Sequence, residues 1–189
     1  MRRVIASTYM TLDGVITHPE NWTFPFRTDE ATAFAHDQLF ASDALLMGRG
    51  TYEIFADAWP SRTDDMGFAD RMNSLPKYVV STTLATAEWN ATVIGGDVAA
   101  EVAKLKQQPG KDILVYGYGA LTETLMQHDL LDELRIWLHP VLVGGSDPDD
   151  LLRRDTAVAT LDLVDVTTYD SGLVLLCYRP QGADRSKKD

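Results

Sequence analysis

The sequence predicts an α/β fold whose mostly parallel central sheet ends in a C-terminal antiparallel hairpin. Three observations lead there. Eight short β-branched or aliphatic runs recur along the chain, helix-like stretches separate the earlier ones, and Asp170-Ser171-Gly172, a tight-turn composition, joins the last two. Strands alternating with helices imply crossovers and parallel pairing.

The runs that read as buried strands are Val4–Tyr9, Ala44–Met47, Tyr78–Ser81, Thr92–Ile94, Ile113–Tyr116, Glu133–Leu142, Leu161–Thr168 and Leu173–Arg179. A helix is expected over Asp29–Phe40, where Thr28 supplies a cap and two acids suit the first turn. A second opens after Gly95-Gly96 with Asp97 as cap. It carries Val98, Val102 and Leu105 at helical spacing and stops before Pro109-Gly110. A third, Ala120–His128, places Leu121 and Leu125 on one face. Within Leu161–Thr168 the alternation changes phase between Leu163 and Val164, which predicts a bulge. Neither a repeat nor a linker interrupts the chain. One domain is therefore expected over residues 1–180, followed by a disordered polar tail over 181–189.

The 189 residues, 45% of them hydrophobic, suffice for one well-buried core. A net charge of −11 repels a polyphosphate backbone, so nucleic acid is excluded as a partner class. A small anionic ligand is not excluded, since it needs only one local cation and a few amide donors. Cys177, the only cysteine, lies in an apolar run and reads as a small core residue. The opening Met1–Ile5 leads straight into a strand rather than a signal-peptide core. Nor does any apolar run approach the roughly 18 residues that span a bilayer. The expected location is the cytoplasm, with no membrane partner.

In open α/β sheets, ligands collect beyond the carboxyl ends of the parallel strands. Three such ends carry suggestive residues. After Leu45-Leu46-Met47 come Gly48, Arg49 and Thr51 at the start of a helix, a combination suited to phosphate. A solvated Arg49 and a capping Thr51 would look the same. After Tyr78-Val79-Val80 come Ser81, Thr82 and Thr83, which can hold a ribose phosphate or simply turn the chain. The run ending in Tyr116 passes through Gly117-Tyr118-Gly119 into Ala120 and Leu121. Such a turn can cradle a pyrophosphate on backbone amides. It is not a full Rossmann fingerprint, and no acidic residue follows at the required distance.

The order strand–Leu12-Asp13-Gly14, strand–Met47-Gly48-Arg49-x-Thr51-Tyr52, strand–Ser81-Thr82-Thr83, strand–Gly117-x-Gly119 resembles the dihydrofolate reductase superfamily. It is most similar to stand-alone relatives of the C-terminal reductase domain of bifunctional riboflavin-biosynthesis enzymes. Leu130-Leu131-Asp132-Glu133-Leu134 and His139-Pro140-Val141-Leu142-Val143-Gly144-Gly145 extend the likeness across residues 2–180. The resemblance implies a three-layer α/β/α dihydrofolate-reductase-like fold, NADPH as cofactor and a homodimer. It implies that Gly48, Arg49 and Thr51 hold the dinucleotide phosphates, with Ser81 and Thr82 near the 2′-phosphate. Gly117, Tyr118, Gly119, Ala120 and Leu121 then turn over the pyrophosphate and nicotinamide, beside Tyr116. Ala6, Ser7 and Ile16 match the strand and mobile loop that cover the nicotinamide.

Two departures bear on the substrate. Trp22-Thr23-Phe24-Pro25 resembles the Trp-x-x-Pro of dihydrofolate reductases, but Phe26-Arg27 follows where that family ends in a carboxylate. Asp29 or Glu30 could reach in from the helix start, or could simply suit its dipole. The loop Ser146-Asp147-Pro148-Asp149-Asp150 is acidic and would repel a phosphorylated sugar. Asp13 is the candidate catalytic acid, able to orient substrate or relay a proton, although Asp-Gly also makes a turn. Trp22, Phe24, Phe26 and Phe55 could line a pocket for a planar substrate or pack the core. His18, His36, His128 and His139 lack metal-ligand spacing, so no metal is expected.

The expected activity is NADPH-dependent hydride transfer to a small planar or heterocyclic substrate, of dihydrofolate or riboflavin-precursor type. The rivals are an NADP-binding regulatory protein that keeps the fold without turnover and an unrelated flavodoxin-type domain.

Overall fold

A computed structural model describes residues 1–64, 66–145, 147–152 and 158–182. The expected tail falls almost wholly outside the described residues. Eight strands form one sheet: β1 (Val4–Thr11), β2 (Ser42–Gly48), β3 (Lys77–Val80), β4 (Ala91–Ile94), β5 (Asp112–Tyr116), β6 (Glu133–His139), β7 (Leu161–Thr168) and β8 (Val174–Pro180). Their spatial order is β4-β3-β2-β5-β1-β6-β8-β7. Every neighbouring pair from β4 to β6 is parallel, and β8 runs antiparallel to both β6 and β7.

Among the described residues five α-helices cover the sheet: α1 (Asp29–Phe40), α2 (Arg49–Ala58), α3 (Phe68–Ser74), α4 (Val98–Gln107) and α5 (Ala120–Gln127). The side-chain period of two on β1 sends Val4 and Ala6 to one face and Ile5 to the other, all nearly inaccessible. The first face packs against Val102 and Leu105 of α4 and Leu125 of α5. The second packs against Leu39 of α1, Tyr52 of α2 and Met72 of α3. The result is three layers, helices on both sides of a parallel sheet.

The expected caps are in place, with Thr28 accepting from the Ala31 amide and Asp97 from the Ala100 amide. The register slips between Leu163 and Asp165, leaving Val164 as the extra residue of a bulge. At the hairpin turn the Gly172 amide donates to the Tyr169 carbonyl at 2.8 Å, and Gly172 takes φ +84. The sixth strand is shorter than expected. It stops at His139 because Pro140 brings no amide to the ladder.

Strand β5 sits between β2 and β1 but leads to α5 on the first face, whereas its neighbours lead to helices on the second. Connections that diverge to opposite faces leave a crevice at the carboxyl ends of these strands.

Candidate active site

Helices α2 and α5 both start at this crevice. Their N-caps are Gly48 and Gly119, and neither receives a side-chain cap. Thr28 and Asp97 cap α1 and α4, and Asp64 accepts from the Phe68 and Ala69 amides at the start of α3. So among the described helices only the two at the crevice lack a side-chain acceptor for their first-turn amides, the arrangement that favours an anion.

The three strand ends singled out by sequence converge. Arg49 Nη1 donates to Thr83 Oγ1 at 2.6 Å, joining the ends of β2 and β3. The Gly117 amide donates to the Ser7 carbonyl at 2.9 Å, joining β5 to β1. A Cβ on Gly117 would stand 3.6 Å from Thr51 Oγ1, which brings the Gly-x-Gly turn beside the start of α2. Gly117 takes φ +83, where L side chains are strained. Ala120 opens α5 at the surface, while Leu121 and Tyr118 pack on the first core face.

Two details escaped the sequence reading. Arg49 Nε also donates to Glu53 Oε1 at 2.7 Å, so a carboxylate already shares the expected phosphate ligand. The i,i+4 spacing could have revealed this pair. Ser81 Oγ accepts from the Thr83 and Leu84 amides at 3.2 and 2.9 Å. Ser81 thus builds the turn that presents Thr83 to Arg49, while Thr82 is exposed.

The strand and loop expected to cover a nicotinamide are more tightly held than anticipated. Ser7 is buried and its Oγ accepts from Trp137 Nε1 at 2.9 Å. Ala6 points into the opposite core, so only its backbone can border the crevice. The Ile16 amide donates to the Asp150 carbonyl at 2.8 Å, Thr17 Oγ1 donates to Asp150 Oδ1 at 2.7 Å, and Val15 bridges to Leu151. The Gly14–Thr17 loop is therefore pinned by a distant segment.

Asp13 is engaged at both carboxylate oxygens. One carboxylate oxygen accepts from Thr11 Oγ1 at 2.5 Å, and the other from the Val143 and Gly144 amides at 3.1 and 2.7 Å. The Thr11 hydroxyl and then the Gly144 amide hold its pKa below the usual carboxylate range. A proton donor near neutrality needs a raised pKa and an available oxygen. Asp13 instead clips β1 to the loop after β6.

Of the expected aromatic wall, Trp22 is buried, with Nε1 donating to the Thr17 carbonyl at 3.1 Å. Its ring meets His139 edge-on, 5.0 Å between centroids, and Tyr9 and Phe26 enclose the same imidazole at 5.3 and 5.9 Å. His139 Nδ1 lies 2.8 Å from the Trp137 carbonyl, and burial lowers its pKa, which favours the neutral ring. Sequence spacing gave no hint of this box. Phe55 packs against Tyr116 with centroids 5.6 Å apart. Phe24 is 61% exposed and lines no wall; Phe26, two residues on, turns inward instead. Asp29 and Glu30 are exposed in the first turn of α1. Arg27 is exposed, and its charge reaches the Tyr9 phenol. No metal-binding group of three or more His, Cys, Asp or Glu occurs among the described residues. Nor is any described helix long and apolar enough to cross a membrane.

A mostly parallel sheet covered on both faces and closed by this antiparallel hairpin is the dihydrofolate-reductase-like fold. The chain belongs to the RibD C-terminal domain family, whose model matches residues 2–175. It is 32% identical to YyaP of Bacillus subtilis (strain 168) over 186 residues, 96% of each chain. A putative riboflavin biosynthesis protein from Shewanella sp. PV-4 superposes with a TM-score of 0.72 at 21% identity, covering 96% of this chain and 99% of that one. A deaminase/5-amino-6-(5-phosphoribosylamino)uracil reductase from Thermotoga maritima gives 0.64 at 18% identity, covering 95% of this chain and 57% of that one.

Proposed function

We propose that the chain is an NADPH-dependent reductase of a small planar heterocycle, related in kind to pyrimidine riboflavin precursors. One observation carries this reading: Arg49, the two uncapped helix starts and the Gly117 turn meet at one crevice. A cation beside first-turn amides suits a diphosphate, and the bidentate guanidinium suits a further phosphate. The dinucleotide, when bound, supplies hydride. Arg49 would hold phosphate together with Thr83 and the α2 amides, while the Gly117–Gly119 turn lets backbone approach the diphosphate. Ser7, fixed by Trp137, and Ile16, pinned through Asp150, would border the nicotinamide and exclude water. Trp22, Phe26 and Phe55 supply the apolar surroundings for a flat substrate. A cytoplasmic location and a homodimer belong to the same proposal.

Titration with NADPH and NADH, read by tryptophan fluorescence, tests it. NADPH should bind and protect against heat, with NADH markedly weaker. Equal affinity for the two would remove the 2′-phosphate assignment. A second reading, dinucleotide binding without turnover, is favoured by the engagement of both Asp13 oxygens. Tight NADPH binding without oxidation by dihydrofolate, the ribosylamino-pyrimidinedione precursor or simple carbonyls would select that rival.

A further inference from the structure

Three buried side-chain polar atoms have no hydrogen-bond partner among the described residues: Arg71 Nε, Tyr116 Oη and Tyr169 Oη. Arg71 is otherwise engaged, since Nη2 donates to the Ser42 carbonyl at 2.5 Å and its guanidinium lies over Phe40. Tyr169 belongs to the β7–β8 turn and stacks on Trp137. Tyr116 is different in position. It ends β5 one residue before Gly117, stands in register with Ser7 of β1 and packs against Phe55 of α2. Part of the residue reaches the surface, but its hydroxyl oxygen is fully occluded.

A buried hydroxyl without a partner is unfavourable in the ligand-free protein. Functional sites are where such a cost is retained. Burial raises the Tyr116 phenol far above its ordinary pKa, with a smaller contribution from Tyr9 nearby, so it stays protonated and able to donate. Asp112, the nearest acid in sequence, stands at the opposite end of β5 and pairs with Arg3. A protonated phenol without a partner has a hydrogen to give to an acceptor.

We propose that Tyr116 Oη donates the hydrogen bond that selects the substrate, a planar heterocycle presenting a carbonyl oxygen or an unprotonated ring nitrogen. This rests on the reductase reading and names the substrate chemistry of the same site. Lumazine, a fused planar lactam rich in acceptor atoms, is the probe, titrated by fluorescence without dinucleotide. Tyr116→Phe should bind it about tenfold more weakly, and Tyr169→Phe as wild type does. Both variants should melt about 2–4 °C higher, because each loses an unpartnered hydroxyl. Equal lumazine affinity in Tyr116→Phe and wild type, no binding to wild type, or a lower melting temperature for Tyr116→Phe overturns the proposal. A separate NADPH titration of the wild type checks the reductase reading, so the two can fail independently.

Discussion

Arg49 Nη1 donates to Thr83 Oγ1 at 2.6 Å while Nε of the same guanidinium is held by Glu53 at 2.7 Å, so one side chain links two strand ends and carries a competing carboxylate. Both partners of the ion pair are about half exposed, so it contributes little to stability, and its importance lies in ligand competition. Arg49→Ala should weaken NADPH binding by about tenfold or more and NADH binding by less, since NADH shares only the diphosphate, and should leave the melting temperature near wild type. Glu53→Gln should act in the opposite direction, since it frees Nε and removes a negative charge facing the phosphate. Titrations at fixed ionic strength decide. A loss of NADPH affinity in Glu53→Gln would mean that the carboxylate positions Arg49 rather than competing for it.

The two glycines of the Gly-x-Gly turn should separate stability from binding. Gly117 takes φ +83, so Gly117→Ala should cost about 1–2 kcal/mol of unfolding free energy from backbone strain alone. Gly119 is extended at φ 171, and an added Cβ meets nothing within 4 Å. Gly119→Ala should therefore lie within about 0.5 kcal/mol of wild type while weakening NADPH, because the methyl keeps a phosphate from the α5 amides. Chemical denaturation and NADPH titration of both variants provide the check. A Gly119→Ala protein with wild-type NADPH affinity would take α5 out of the cradle.

What could be read from sequence was local. Thr28 and Asp97 act on amides three residues away, Gly172 on its own turn, and the Leu163–Val164 phase change on its own strand, so spacing revealed all four. Asp13 could not be read this way. Its decisive partners, the Val143 and Gly144 amides, lie about 130 residues on, and Asp-Gly looks alike whether the carboxylate is catalytic or a clip. Helix α3 went unseen because Phe68–Ser74 is too short to show a period and the carboxylate that serves its first amides, Asp64, stands before its N-cap Gly67. His139 needed Tyr9, Trp22 and Phe26, from two other parts of the chain, before it became an enclosed group. The converging strand ends were identified by resemblance to a family, and topology gives the physical reason that they meet.

The edge of the sheet offers a prediction about assembly. Among the described residues strand β7 pairs only with β8, and Leu163, Val164 and Val166 along it are 55%, 49% and 46% exposed. Exposed apolar edges are usually covered or charged. We propose that a second copy covers this one in the homodimer. Light scattering coupled to size exclusion should give twice the 21.0 kDa chain mass for wild type, and the chain mass for Val164→Lys combined with Val166→Lys. A monomeric wild type, or a dimer that persists in the double variant, would move the contact elsewhere.

Lys77 sets a pH dependence that belongs to the fold rather than to the crevice. It has no exposed surface, donates through Nζ to the Asn73 carbonyl at 2.7 Å, and lies 4.1 Å above the centre of the Trp89 ring. Both contacts favour the ammonium, yet burial dominates and lowers its pKa to about 8 from 10.5. Below about pH 8 the lysine is charged in both folded and unfolded chains, and the cost of burying it is fully present. Above that the folded protein releases its proton while the unfolded chain keeps one, so stability rises with pH, by up to about 3 kcal/mol once pH reaches the unfolded value. Tyr9, Tyr116, Tyr169 and Cys177 act in the opposite sense. Their raised pKa values let the unfolded chain ionise first, so the thiol offsets part of the gain from about pH 8.5 and the phenols oppose it above about pH 10. Urea denaturation between about pH 8 and 9.5 should therefore show rising stability in wild type, and Lys77→Met should remove that slope with no loss of stability at neutral pH. A wild-type profile that is flat or falling across this interval would place the charged lysine's favourable contacts above its desolvation.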